Sequence, residues 1–171
     1  MKKFNYDIGE HINPAYAAPP LINGMIAKGE LDGALNYWNY TARLKALGFK
    51  NIISVTDVLP TLGIGESLPL IGYVFREEWA KNNPQAIKGF LSASQEARDI
   101  LNTSEYEWER IRKITGAKNT ATLDALKKEF REGIPNKDTT TYVQPIKNAF
   151  KILAKIGGKD LVGKSKTLSD G

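Results

Sequence analysis

Strand-like runs alternate with helix-like runs along the first 75 residues, and this alternation constrains the fold more than any other feature of the chain. Apolar residues recur at helical spacing over residues 20–27 and 41–47. The strand-like runs, rich in β-branched or aromatic residues, cover residues 12–18, 31–38, 52–55 and 70–75. Strands joined by helices through short connections are typical of βαβ units with parallel strands. The sequence therefore predicts an α/β fold at its N-terminal side.

The C-terminal half is predicted to be helical. Pro84 opens a long amphipathic run, and Ser104 precedes another with capping-box spacing to Glu107. Further helical runs cover residues 122–131 and 143–156, the second ended by two glycines. Residues 159–171 are polar and are predicted to form a surface tail.

Composition excludes several classes of function. The 171 residues contain no cysteine, which rules out disulfides, thiolate metal ligands and cysteine nucleophiles. The net charge is +5, but the basic residues are scattered, so no nucleic-acid partner is expected. Residues 1–10 are too polar for a signal peptide, and no apolar run is long enough to span a membrane.

A cluster of aromatic and amide side chains follows the second predicted strand. Tyr37, Trp38, Asn39 and Tyr40 fall where that strand gives way to a helix. In open α/β sheets, ligands bind in the crevice outside the carboxyl ends of the strands. Flat rings with polar tips, together with amides, suit a small polar ligand. Aromatic packing alone is the alternative interpretation of the same residues.

Three further residues join the predicted substrate-binding set. Pro20 and Asn23 lie at the preceding strand-to-helix turn, where a helix N-terminus favours an anion, and Tyr73 lies in the fourth predicted strand. His11, the one histidine, has no second ligand at metal-binding spacing. No pair of carboxylates has the arrangement of a catalytic acid and base. No metal, cofactor or catalytic residue is therefore predicted.

Several segments occur in an order that is characteristic as a set. They are Ala17–Pro20, Lys28–Tyr40, Gly72–Phe75, and Asn83-Pro84 followed by Phe90-Leu91. Over roughly residues 15–102, this order resembles the substrate-binding proteins of ABC importers of the nitrate/taurine/sulfonate and thiamine-precursor group. The chain departs from that pattern at Asn39-Tyr40, where many relatives have Asp-Pro.

The resemblance implies part of a two-lobe, periplasmic-binding-protein-like α/β fold, with the ligand held in an interlobe cleft. Residues 1–40 would be the remainder of the second lobe, residues 41–158 the C-terminal part of the first lobe with a helical bundle, and residues 159–171 a tail. The implied partners are a small polar or anionic ligand, an ABC permease and a missing N-terminal half of the same protein. The implied location is periplasmic or otherwise extracytoplasmic.

These features together predict a non-catalytic solute-binding component that delivers its ligand to a permease. One alternative is a ligand-sensing or interaction module of the same fold. The other is an enzyme similar to the pyrimidine synthases of thiamine biosynthesis. Those enzymes carry a cysteine-rich motif and an essential histidine, whereas this chain has no cysteine and a single histidine near its start.

Overall fold

A computed structural model describes residues 8–65, 68–69, 71–135, 139–165 and 167–168. These residues are 66% helical and include no β-strand. Short 3₁₀ turns cover Pro60–Leu62 and Thr139–Tyr142. The α-helices of the described residues are α1 (Ile8–His11), α2 (Pro19–Ala27), α3 (Trp38–Ala46), α4 (Val55–Val58), α5 (Glu77–Asn82), α6 (Pro84–Thr103), α7 (Glu105–Thr115), α8 (Thr120–Glu132) and α9 (Val143–Val162).

The predicted α/β class, with βαβ units in a two-lobe periplasmic-binding-protein-like fold, is wrong, because the described chain is all-α. Each predicted strand leads instead into a helix through an extended residue: Ala18, Tyr37, Ser54 and Arg76 all have ψ between 128° and 154°. An extended segment becomes a strand only when a neighbouring segment pairs with its backbone. Within the described residues these four segments have no such neighbour, so their β propensity is not expressed as a sheet.

The predicted helices are confirmed, and local signals explain their ends. Gly29 and Gly48 follow α2 and α3 at φ angles of 74° and 92°, which glycine adopts without steric penalty. The Ser104 hydroxyl accepts a hydrogen bond from the Glu107 amide at 3.2 Å, as the capping-box spacing predicts. The final helix runs beyond its predicted end at residue 156, with a kink at Gly158, where φ is 62° and ψ −155°.

Contacts divide the chain into two units, the first comprising residues 1–50 and 108–132. Its core is formed where α3 packs along α8, and α2 packs against α3. Arg43 of α3 donates hydrogen bonds to the carbonyl oxygens of Thr115 at 2.5 Å and Gly116 at 3.4 Å. The buried side chains of this unit are Ile26, Ala42, Leu44, Trp108, Ala117, Leu123 and Leu126.

The second unit comprises residues 51–107 and 133–171. Leu59, Ile64 and Ala149 form a small buried cluster, against which Leu68 and Ile152 pack. These units are defined by contacts within the chain, whereas the lobes proposed over residues 1–40 and 41–158 come from a family resemblance. The lobe assignment remains a prediction.

Candidate functional site

Two asparagines join the segment before α3 to α2. The Asn36 amide nitrogen donates to the Asn23 side-chain oxygen at 2.9 Å and to the Pro19 carbonyl oxygen at 3.2 Å. The Asn36 side-chain oxygen accepts from the Tyr37 amide at 2.9 Å, and the Asn23 amide nitrogen donates to the Tyr40 carbonyl oxygen at 2.9 Å. Asn23, predicted as a ligand contact, is therefore engaged in holding the turn that presents α3.

The aromatic corner, defined as Tyr37, Trp38, Asn39 and Tyr40, occupies the start of α3. The Trp38 ring lies 6.3 Å from the Phe130 ring of α8, and Phe130 makes an edge-to-face contact with buried Trp108 at 5.5 Å. This support fixes the indole while leaving 45% of Trp38 exposed. Tyr37 is more exposed still. Two rings of the aromatic corner, Tyr37 and Trp38, are therefore exposed to solvent, and the Trp38 ring is supported by Phe130.

Hydrogen-bond donors accompany the rings at the start of α3. The first-turn amides of Trp38 and Asn39 have no carbonyl within the helix to bond, and no side chain caps the helix at Tyr37. The half-buried Asn39 side chain makes no hydrogen bond with the described part of the chain. These groups are available to a polar or anionic ligand.

The other two predicted site residues contribute differently. Pro20 and the preceding proline occupy the first turn of α2 and have no N–H, while the Leu21 and Ile22 amides bond to the Ala18 carbonyl oxygen. The start of α2 therefore offers no donor from its first two residues. Tyr73 packs within the second unit, where its hydroxyl lies 2.6 Å from the Ser94 hydroxyl.

Sequence reasoning did not identify the residues that support the corner. Asn36 stands two residues before the first residue of α3, where asparagine side chains commonly bond the local backbone, so its role is predictable from the sequence. Phe130 and Trp108 lie far along the chain, and nothing local connects them to Trp38. Phe130 and Trp108 support Trp38 only because α3 packs along α8 in the folded chain.

A surface ion pair in α7 shifts the pKa values of both of its members. Hydrogen bonding to the Arg112 guanidinium, at 2.7 and 2.9 Å, lowers the pKa of the Glu109 carboxyl, and the same bond raises the pKa of Arg112. The described residues include no group of three histidine, aspartate or glutamate side chains placed to hold a metal ion. Stacking and hydrogen bonding are the chemistry that the aromatic corner offers.

Comparison with known proteins adds no family assignment. Neither a family model nor a curated protein matches the chain. Among the helices of the described residues, none is both long and apolar enough to cross a membrane.

Proposed function

We propose that this chain is a non-catalytic solute-binding protein that takes a small polar or anionic molecule at the aromatic corner. The observation that carries the proposal is the exposed Trp38 ring, held from behind by Phe130 and flanked by the uncapped start of α3. Aromatic faces beside a few directed polar groups are typical of small-molecule sites. The Asn36 and Asn23 hydrogen bonds support it further, because they fix the turn before any ligand arrives.

The ligand class follows from the groups presented. Helix N-terminal amides favour negative charge, and an indole face favours a flat or apolar body. A small organic anion, such as an aromatic acid or an alkylsulfonate, combines both features. An uncharged pyrimidine would use the ring faces and the Asn39 amide instead.

We further propose that the bound solute is passed to an ABC permease outside the cytoplasm. This part of the proposal rests on the segment order over residues 15–102, which resembles importer-associated binding proteins. It does not depend on an interlobe cleft, because the aromatic corner lies entirely within the first unit.

The test is ligand-induced tryptophan fluorescence and calorimetry of the protein with nitrate, alkylsulfonates, pyrimidines and aromatic acids. We expect saturable binding of one class, and Trp38→Ala should weaken it at least about tenfold, a loss of about 1.4 kcal/mol. Trp79→Ala is the matched control, because Trp79 is 47% exposed and lies in the second unit. Absence of binding by all four classes, or equal loss in both variants, would contradict the proposal.

An interaction module is the second candidate, favoured by exposed apolar side chains in the extended segments. Ile71, Tyr73 and Val74 lie within four residues of one another and are 83%, 55% and 92% exposed. Contiguous exposed apolar surface marks interaction sites. One variant distinguishes the two candidate functions: Trp38→Ala should remove solute binding and leave protein–protein association intact.

A further inference from the structure

The first half of α9 packs in the core of the second unit. Ala149, which is 7% exposed, belongs to the buried cluster with Leu59 and Ile64, and Ile152 packs against that cluster. The 3₁₀ turn Thr139–Tyr142 contacts the same helix. These contacts fix the orientation of the first half of α9.

The apolar face of α9 continues into its second half, where it is exposed. Leu153 is 47% exposed, Ile156 58% and Leu161 59%. Ile156 lies four residues after Ile152, and residues four apart share one face of a helix. Leu153 stands in the same relation to Ala149. The face that is buried in the first half of α9 is therefore open to solvent in the second half.

A row of lysines borders this apolar face. The lysine row, defined as Lys147, Lys151 and Lys155, has a spacing of four residues, which places its members on one face about 6 Å apart along the helix axis. Lys151 and Lys155 each precede an isoleucine of the apolar face by one residue, about 100° around the helix. Both are exposed, and neither makes an ion pair with the part of the chain that the structure describes.

Positive charge dominates α9 and its contacts. The helix contains four lysines and one acidic residue, Asp160, which lies beyond the kink at Gly158. Residues 59–65, which include two members of the buried cluster, contain no charged residue, and neither does the turn Thr139–Tyr142. The exposed apolar face of α9 is therefore bordered by cations, which complement a partner that is both anionic and apolar.

We propose that the second half of α9, residues 153–162, docks on an anionic membrane surface. Leu153 and Ile156 enter the boundary between lipid headgroups and acyl chains. The stems of Lys151 and Lys155 extend along this layer and bring their ammonium groups to the lipid phosphates. A helix with an apolar face and a lysine-rich polar face is typical of helices that lie in the plane of a membrane.

Charge and exposed apolar surface together favour a bilayer over other anionic partners. A nucleic acid offers phosphates to the lysine row but no apolar layer to Leu153 and Ile156. A groove in an acidic protein takes the apolar face of a helix into a concave site. The first half of α9 lies against its own unit, and a flat surface reaches the open second half without enclosing the helix. The membrane proposal is independent of solute binding, because the aromatic corner belongs to the first unit.

Co-sedimentation of the full chain with lipid vesicles tests the proposal. Vesicles of phosphatidylcholine alone are compared with vesicles that contain about one third phosphatidylserine. We expect a partition coefficient at least about tenfold larger for the anionic vesicles. It should fall as the ionic strength rises from about 0.01 M to about 0.15 M, because salt screens the attraction between lysines and lipid. Equal partitioning into both kinds of vesicle overturns the proposal.

Two variants separate the contribution of the lysine row from that of the apolar face. Lys151→Glu combined with Lys155→Glu should lower the partition coefficient for anionic vesicles at least about tenfold, because two attractions to lipid phosphate become repulsions. Ile156→Asp should lower it at least about fivefold, because it places a carboxylate among the acyl chains. Circular dichroism checks that both variants keep the helix content of the wild type.

Matched controls lie in the first unit. Lys113→Glu combined with Lys118→Glu changes the net charge by the same amount at exposed positions, and Ile114→Asp matches the apolar change at a site that is 84% exposed. Both controls should partition as the wild type does. An equal loss in the control lysine pair overturns the proposal, because net charge alone would then explain binding. Full binding by Ile156→Asp also overturns it, as does lysine-dependent binding of duplex DNA without binding of vesicles.

Discussion

Asn36 holds the turn that places the aromatic corner at the start of α3. Its one amide makes three hydrogen bonds, to Asn23, Pro19 and Tyr37, and so joins two helices through a turn. Buried or half-buried amides that satisfy both donor and acceptor groups fix local geometry, because any other arrangement leaves a polar group unpaired. The orientation of Trp38 thus depends on a neighbour that itself need not touch the ligand.

This role predicts a difference between two asparagines three residues apart. Asn36→Ala should lower the free energy of unfolding of the first unit by about 1–2 kcal/mol, because it removes three hydrogen bonds and leaves the Asn23 oxygen without its donor. Asn39→Ala, which removes a side chain without a hydrogen bond to the described residues, should change it by less than about 0.5 kcal/mol. Urea unfolding followed by fluorescence measures both. A stability loss in Asn36→Ala no larger than the loss in Asn39→Ala would mean that the Asn36 hydrogen bonds contribute nothing to stability.

Among the elements, the longer helices are predicted correctly, the short helices α1 and α4 are missed and the predicted strands are wrong, for a physical reason. Helical hydrogen bonds join residues four apart, so Gly48 after α3 and Ser104 before α7 determine ends that can be predicted locally. A strand needs a partner that its own residues do not specify. Ile52 and Val74 have strand-forming side chains, but within the described residues no segment pairs with them.

The candidate site, like the fold, is predictable from local sequence only in part. Tyr37 to Tyr40 are predicted from their residue types and from their place at the end of a strand; the described residues have no strand there, and the structure places the four side chains at the start of α3 instead. The pairing of Asn36 with Asn23 crosses 13 residues, and the support from Phe130 comes from a distant helix. Neither is encoded in local spacing, because both depend on how the helices pack.

Replacement by alanine should change the free energy of unfolding in opposite directions at two glycines in long helices. Gly158 in α9 has φ 62° and ψ −155°, a conformation essentially restricted to glycine, so Gly158→Ala should destabilise the second unit by about 1–3 kcal/mol. Gly89 lies inside α6 with open space at its Cβ position, so Gly89→Ala should stabilise by about 0.5–1 kcal/mol. Thermal unfolding of the two variants measures the signs. A neutral Gly158→Ala would show that the kink is not maintained in solution.

At the scale of the whole molecule, the two units have separate sets of buried side chains. Leu123, Trp108 and Leu126 belong to the first unit, whereas Leu59, Ile64 and Ala149 belong to the second. Among the described residues, the two sets share no buried side chain. Truncation of one large buried side chain should therefore lower the stability mainly of the unit that contains it.

Leu123→Ala tests this division. Leu123 lies in α8 and is 1% exposed, so its truncation should lower the free energy of unfolding of the first unit by about 2–5 kcal/mol. In hydrogen exchange, amides of α3 and α8 should lose protection, while amides of α9 should keep theirs, because α9 packs on a different cluster. Ile114→Ala, at an exposed position of the same unit, should change neither set by more than about 0.5 kcal/mol. Equal loss of protection in α8 and α9 would instead mean that the two units unfold as one cooperative structure.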